Sequence, residues 1–181
     1  MTMRTRNKVV LLYPTNHFGK AYHPWTWAPL PIMAASAPLF AAGYEVVLLD
    51  ANVEPRWQER LVAECDDALL LGISCMTGPQ IHFGLEAARA VRTAGLKLPI
   101  IWGGYHPSIL PEQTSQNEFV DAVVRGQGEL TMLELTGRLS QGGGLGDVAG
   151  LTFTRDGEAV NDPSRKITDS TEFPSQQSDH L

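Results

Sequence analysis

The sequence predicts an α/β domain: a doubly wound, five-stranded parallel sheet with a β-hairpin at its C-terminal end. Three observations predict it. Short apolar, often β-branched runs alternate with helical segments five times along the chain. Those runs lack polar alternation, so both faces of each strand are buried, as in a parallel sheet covered by helices on both sides. The length of 181 residues holds about one domain, and a composition of 43% hydrophobic and 19% charged residues is enough to fill one core.

The elements follow in order. Lys8 to Tyr13 reads as a buried strand stopped by Pro14, and a Pro- and aromatic-rich loop runs from Pro14 to Pro31. Ile32 to Ala42 reads as a helix closed by Gly43, with Pro38 expected near its first turn or at a kink. The second strand is Glu45 to Asp50, and the amphipathic stretch Glu54 to Glu64 is helical, with Pro55 suited to a first turn. Ala68 to Ile73 forms the third strand, and Pro79 to Thr93 the third helix, closed by Gly95. Leu98 to Trp102 forms the fourth strand, ended by Gly103-Gly104, with a short helix expected over Pro111 to Asn117. Asp121 to Val124 is the fifth strand, and Glu129 to Ser140 the helix that follows. Right-handed crossovers favour the strand order 2-1-3-4-5. Leu151 to Thr154 and Glu158 to Val160, around Asp156-Gly157, read as the hairpin. Residues 1–161 therefore form the domain, and 162–181 a polar linker or tail expected to be disordered.

Composition excludes several classes. A net charge of −6 leaves no basic footprint for nucleic acid. Apolar stretches fall far short of the roughly 20 residues a membrane helix needs. The basic start, Met1 to Lys8, leads straight into a strand with no small-residue cleavage site, so no signal peptide is read. Two cysteines, Cys65 and Cys75, suit a reducing cytoplasm and cannot by themselves hold an iron–sulfur cluster.

In an open parallel sheet, ligands bind beyond the carboxyl ends of the strands. That rule selects the loops Pro14 to Pro31, Asp50 to Glu54, Ser74 to Pro79, Gly103 to Pro107 and Arg125 to Glu129. Gly103-Gly104 reads as a gap for a flat or elongated ligand, or as a plain turn. Ser74 and Thr77 carry hydroxyls that bind a ligand or cap a helix. Trp25 and Trp27 stack on a ligand or cover the core edge. A hydrolase elbow fails, because Gly72-Ile73-Ser74-Cys75-Met76 lacks its last glycine. A Cys75–His106 pair lacks a third, orienting group, so Cys75 reads as a buried inert thiol. The five histidines show no zinc spacing, so no metal ligand and no catalytic residue is assigned. A flavin or nucleotide site, or a protein-interaction module, is the alternative reading. Its test is the loop Pro14-Thr15-Asn16-His17-Phe18-Gly19, a partial match to a phosphate cradle.

Taken together, these loops resemble the cobalamin-binding domain that precedes the catalytic barrel in cobalamin-dependent radical S-adenosylmethionine enzymes. The pieces that carry the resemblance are Pro29 to Ala35 with Ala41-Ala42-Gly43-Tyr44-Glu45-Val46 and Asp50, and Gly72-Ile73-Ser74 with Thr77. They continue with Trp102-Gly103-Gly104-Tyr105-His106-Pro107, Asp121 to Glu129, and Gly150-Leu151. The likeness runs over residues 8 to 161, with Gln127 where the family more often has Glu.

The resemblance implies a flavodoxin-like fold with the corrin over the carboxyl ends of the strands. The nucleotide tail then passes the Ser74 loop and Gly103-Gly104, flanked by Gly126, Gln127, Gly128 and Glu129. Cys75, Met76, Tyr105, His106, Trp25 and Trp27 are further candidates around the cofactor. Methionine-synthase-type domains carry Asp-x-His-x-x-Gly, whose His is the lower cobalt ligand. The run Asp50 to Pro55 has Asn52 in place of that His and Pro55 in place of the Gly. The implied mode is base-off and His-off. The family's barrel holds an iron–sulfur cluster and S-adenosylmethionine through a Cys-x-x-x-Cys-x-x-Cys run that this sequence lacks. The chain is therefore expected to bind cobalamin as a module for methyl or radical transfer and not to catalyse alone, with the barrel supplied in cis or in trans.

Overall fold

Residues 7–18 and 28–169 are described by a computed structural model. Strand β1 (Lys8–Tyr13) lies at the centre of the parallel part, between β2 (Glu45–Asp50) and β3 (Ala68–Ser74). Beyond β3 come β4 (Ile100–Gly103) and β5 (Ala122–Val124), all parallel. The hairpin β6 (Leu151–Arg155) and β7 (Glu158–Asn161) then adds two antiparallel strands, giving the order β2-β1-β3-β4-β5-β6-β7. The expected parallel order is present. The hairpin's place, which the sequence leaves open, is the outer edge of β5, whose backbone groups it pairs. The sheet is thus mixed and seven-stranded.

Helices cover both faces. Helices α1 (Leu30–Ala41) and α6 (Glu129–Ser140) pack against each other on one face, over Val9, Leu11, Ile101 and Val124. Helices α2 (Trp57–Cys65) and α3 (Pro79–Thr93) cover the other, over Val10, Leu12, Ile73 and Trp102. Successive strand residues thus feed opposite cores, which is why the strands read as unbroken apolar runs.

Three details add to the sequence reading. Pro38 sits late in α1 instead of near its first turn, where Pro31 stands; its missing N–H leaves the Ala34 carbonyl without its usual helical donor. A short helix, α4 (Tyr105–Ile109), rises directly from Gly104, ahead of α5 (Pro111–Ser115). The stretch 162–169 has neither helix nor strand but is tied back to the domain by hydrogen bonds. Residues 170–181 of the expected tail lie outside the described residues.

Candidate functional site

A cavity of about 210 Å³ opens at the carboxyl ends of β3, β4 and β5, on the face covered by α1 and α6. Its walls are small: Gly72 and Ser74 from β3, Gly103 and Gly104 after Trp102, Gly126 and Gly128 after β5, and Ala34 and Ala35 from α1. Its floor is apolar, with Leu11, Ile101, Val124 and Met132. Glu129 is the one ionisable side chain among the described residues lining it. Among the described residues no group of His, Cys, Asp or Glu could hold a metal ion. The cavity's volume is below the roughly 300–1,000 Å³ that encloses a whole drug-sized ligand, so it suits one limb of a larger molecule.

The two adjacent glycines have different tasks. Gly104 has φ +93°, and a Cβ there would stand 2.8 Å from the Cys75 carbonyl oxygen and 2.9 Å from both the Cys75 nitrogen and Ser74 Oγ. The loops after β3 and β4 meet at this point: the Cys75 N–H donates to the Gly103 carbonyl at 2.8 Å, and the His106 N–H to the Cys75 carbonyl at 3.2 Å. Only glycine fits that contact. At Gly103 a Cβ would meet only Val124, at 3.8 Å, so its missing side chain serves the open space and not the backbone.

Of the predicted residues, the structure brings Ser74, Gly103, Gly104, Gly126, Gln127, Gly128 and Glu129 together around the cavity. Met76, on the loop after β3, and Tyr105, the first residue of α4, do not line the cavity; they are exposed by 55% and 65%. Thr77 and His106 join that loop to α4 through Oγ1 and Nδ1 at 3.2 Å. Cys75 is buried with its Sγ on the Gln80 carbonyl, and burial pushes its thiol far above the ordinary range, in keeping with an inert thiol. Asn52 does not line the cavity. Its Nδ2 donates to Asp50 Oδ1 at 2.7 Å and its Oδ1 accepts the Asn16 N–H at 3.1 Å, latching the loop after β1 to the loop after β2. In the loop that partly matches a phosphate cradle, Thr15 Oγ1 is 2.7 Å from His17 Nδ1. Trp25 and Trp27 lie outside the described residues.

Two supporting residues escape sequence reasoning. Gln80 is buried; its Nε2 donates to the Pro14 carbonyl and its Oε1 accepts the Met76 N–H, both at 2.8 Å, fixing the loop after β3 to the end of β1. Ser108 donates to the Gly104 carbonyl and accepts from the Gly126 N–H. No local pattern marks either role, because each joins a near partner to a distant one, Pro14 for Gln80 and Gly126 for Ser108.

Comparison with known proteins identifies the family. The family model described as the B12 binding domain matches residues 21–136. The anaerobic magnesium-protoporphyrin IX monomethyl ester cyclase of Synechocystis is 31% identical over 137 residues, 73% of this chain and 27% of the relative. An uncharacterized methyltransferase of Pyrococcus horikoshii is 27% identical over 168 residues, 91% of this chain and 36% of the relative. The chain thus spans about a third of the length of these relatives. Among solved structures, the radical S-adenosylmethionine methyltransferase TsrM from Kitasatospora setae, with cobalamin and a [4Fe-4S] cluster bound, superposes with a TM-score of 0.74. The identity is 22%, over 94% of this chain and 31% of that one. The cobalamin-dependent radical enzyme OxsB, with aqua-cobalamin and S-adenosylmethionine bound, gives 0.72 at 20% identity, over 89% of this chain and 22% of that one. At such identities these two structures speak to the fold.

Proposed function

The chain belongs to the B12-binding domain family, and from that membership we propose that it holds cobalamin over the carboxyl ends of its parallel strands, with the nucleotide tail in the Ser74–Gly103–Gly104 cavity. The observation that carries this pose is the glycine wall: Gly104 lets two loops touch, and Gly103 leaves the space beside them empty. The residues present fit the group. An apolar floor takes the base of the tail, and the Ser74 hydroxyl and the backbone N–H groups of Gln127 and Gly128 take its polar atoms, the Gly126 N–H being held by Ser108. Met76 and Tyr105, exposed just past the carboxyl ends of β3 and β4, offer an apolar seat for the corrin.

The proposed mode is base-off and His-off. A tail lodged in the cavity keeps its base from the cobalt. In the Asp50–Pro55 loop the Asn52 carboxamide is closed on Asp50 and Asn16, and an amide is a poor cobalt ligand beside imidazole. When bound, cobalamin supplies a cobalt centre for methyl or radical transfer. The chain serves as the cofactor module of a radical S-adenosylmethionine enzyme of methyltransferase type, with the cluster-bearing barrel in cis or in trans. The greater length of its relatives and the cobalamin-bound radical enzymes among its structural neighbours support that reading.

Electron paramagnetic resonance of the protein loaded with cobalamin and reduced to the cobalt(II) state tests the mode. The expected spectrum is that of base-off cobalt(II) with no nitrogen superhyperfine splitting. Nitrogen splitting that His17→Ala or His106→Ala removes would overturn the His-off assignment.

A further inference from the structure

Gln127 lines the cofactor cavity, yet both ends of its carboxamide are engaged by the segment that follows the hairpin. Its Nε2 donates to the Thr168 carbonyl at 3.0 Å, and its Oε1 accepts the Thr168 N–H at 2.7 Å. An amide side chain thus pairs with one backbone residue as a neighbouring strand would. A carboxylate would keep the accepting half and lose the donating half.

The same segment is anchored at three more points. The Asp162 carbonyl accepts from the Arg125 guanidinium, and the Pro163 carbonyl accepts the Gly150 N–H at 2.7 Å. Arg165 donates through Nε to Thr131 Oγ1 at 2.9 Å and to the Ala149 carbonyl at 3.2 Å, and its Nη2 pairs with Glu134. Residues 162–169 therefore form a strap over the loop Arg125–Glu129, whose Gly126 to Glu129 stretch also lines the cofactor cavity. The contacts are polar. The large aliphatic side chain of the strap, Ile167, is 89% exposed, and a cleft of about 320 Å³ remains between strap and loop. Elements held this way open before the core does.

We propose that Gln127 is a positioning residue that couples docking of the 162–169 strap to occupancy of the cofactor cavity. The docked strap holds the Gly126–Gly128 loop in its binding geometry, and a bound cofactor in turn holds the strap down. The coupling rests on the cobalamin reading above, and thermodynamic linkage makes it reciprocal: whatever factor the strap adds to cofactor affinity, the cofactor adds to strap docking.

Limited trypsin digestion reads the strap directly, because Arg165 and Lys166 both lie on it. In the full 181-residue chain, hydroxocobalamin is expected to slow cleavage at these two bonds by about fivefold or more. Thr168→Pro, which removes the N–H that Gln127 accepts and alters no cavity residue, is expected to speed cleavage and to weaken hydroxocobalamin binding by a comparable factor. Glu134→Gln, which loosens Arg165 and keeps both cleavage sites, is expected to move both readouts the same way. Circular dichroism confirms that each variant is folded. Faster cleavage with unchanged affinity in both variants would overturn the coupling, as would wild-type protein that binds the corrinoid and is cleaved no more slowly. Wild-type protein that binds no corrinoid would instead overturn the cofactor reading, and the coupling with it.

Discussion

The Ser108 hydroxyl lies 2.9 Å from the Gly126 backbone nitrogen and accepts its N–H. The same hydroxyl donates to the Gly104 carbonyl at 2.7 Å. One side chain thus ties the glycine loop after β4 to the glycine loop after β5, two walls of the cavity. Ser108→Ala leaves one donor and one acceptor without this partner near solvent. Urea unfolding is expected to show a loss of about 1 kcal/mol, and hydroxocobalamin titration a weaker affinity. An affinity equal to wild type would show that the cavity walls do not depend on the bridge.

Adjacent glycines are expected to respond in opposite ways. Gly104→Ala forces a side chain into the left-handed region and within 2.9 Å of two Cys75 backbone atoms. Its cost in unfolding free energy is expected to be at least about 2 kcal/mol. Gly103→Val places its side chain in the open cavity, so the protein is expected to unfold close to the wild-type midpoint and to lose corrinoid binding. Equal stability of the two variants would contradict the division of labour.

Met76 and Tyr105 offer a test of the corrin seat that leaves the cavity intact. Both are exposed, so Met76→Glu and Tyr105→Asp are expected to change stability by no more than about 0.5 kcal/mol. Each charge removes an apolar contact for the corrin, and equilibrium dialysis is expected to show weaker hydroxocobalamin binding. Wild-type affinity in both variants would place the corrin elsewhere.

Alkaline pH is expected to weaken the fold through its buried thiols, Cys65 and Cys75, and through Lys8. Burial pushes the Cys65 thiol from 9.0 to about 12, Lys8 opposing and Glu64 adding to the effect. Between about pH 9 and 12 the unfolded chain has lost this proton and the native chain keeps it, so stability falls as pH rises. Burial acts to lower the Lys8 pKa, but its hydrogen bonds and charge contacts with Asp67 and Glu64 outweigh that and hold it above 10.5. The Lys8 contribution is present below 10.5 and is lost as pH rises through the raised value. Urea midpoints measured from pH 8 to 11 are expected to fall, and Cys65→Ala to flatten the first part of that fall. A flat wild-type profile would contradict these assignments.

The strands and the glycine loops were legible because each rests on local pattern: unbroken apolar runs, then small residues where a parallel sheet ends. The hairpin was legible from Asp156-Gly157, but not its docking on β5, which is a pairing of backbone edges. Helix α4, five residues long, is too short for a period to show. Ser108 and Gln80 stayed hidden for a different reason. Gln80 meets Pro14 across 66 residues, and Ser108 meets Gly126 across 18, so each role exists only after the sheet has assembled. Asn52 shows the converse. Its place after the second strand is legible in the sequence, whereas the bonds of its polar atoms to Asp50 and Asn16, which join two loops, are not.

Gel filtration of the purified chain after mixing with hydroxocobalamin tests the central claim most directly. The account predicts that corrinoid absorbance elutes with the protein at about one equivalent, and that Gly103→Val elutes folded without it. Folded wild-type protein, verified by circular dichroism, that emerges free of corrinoid would contradict the account.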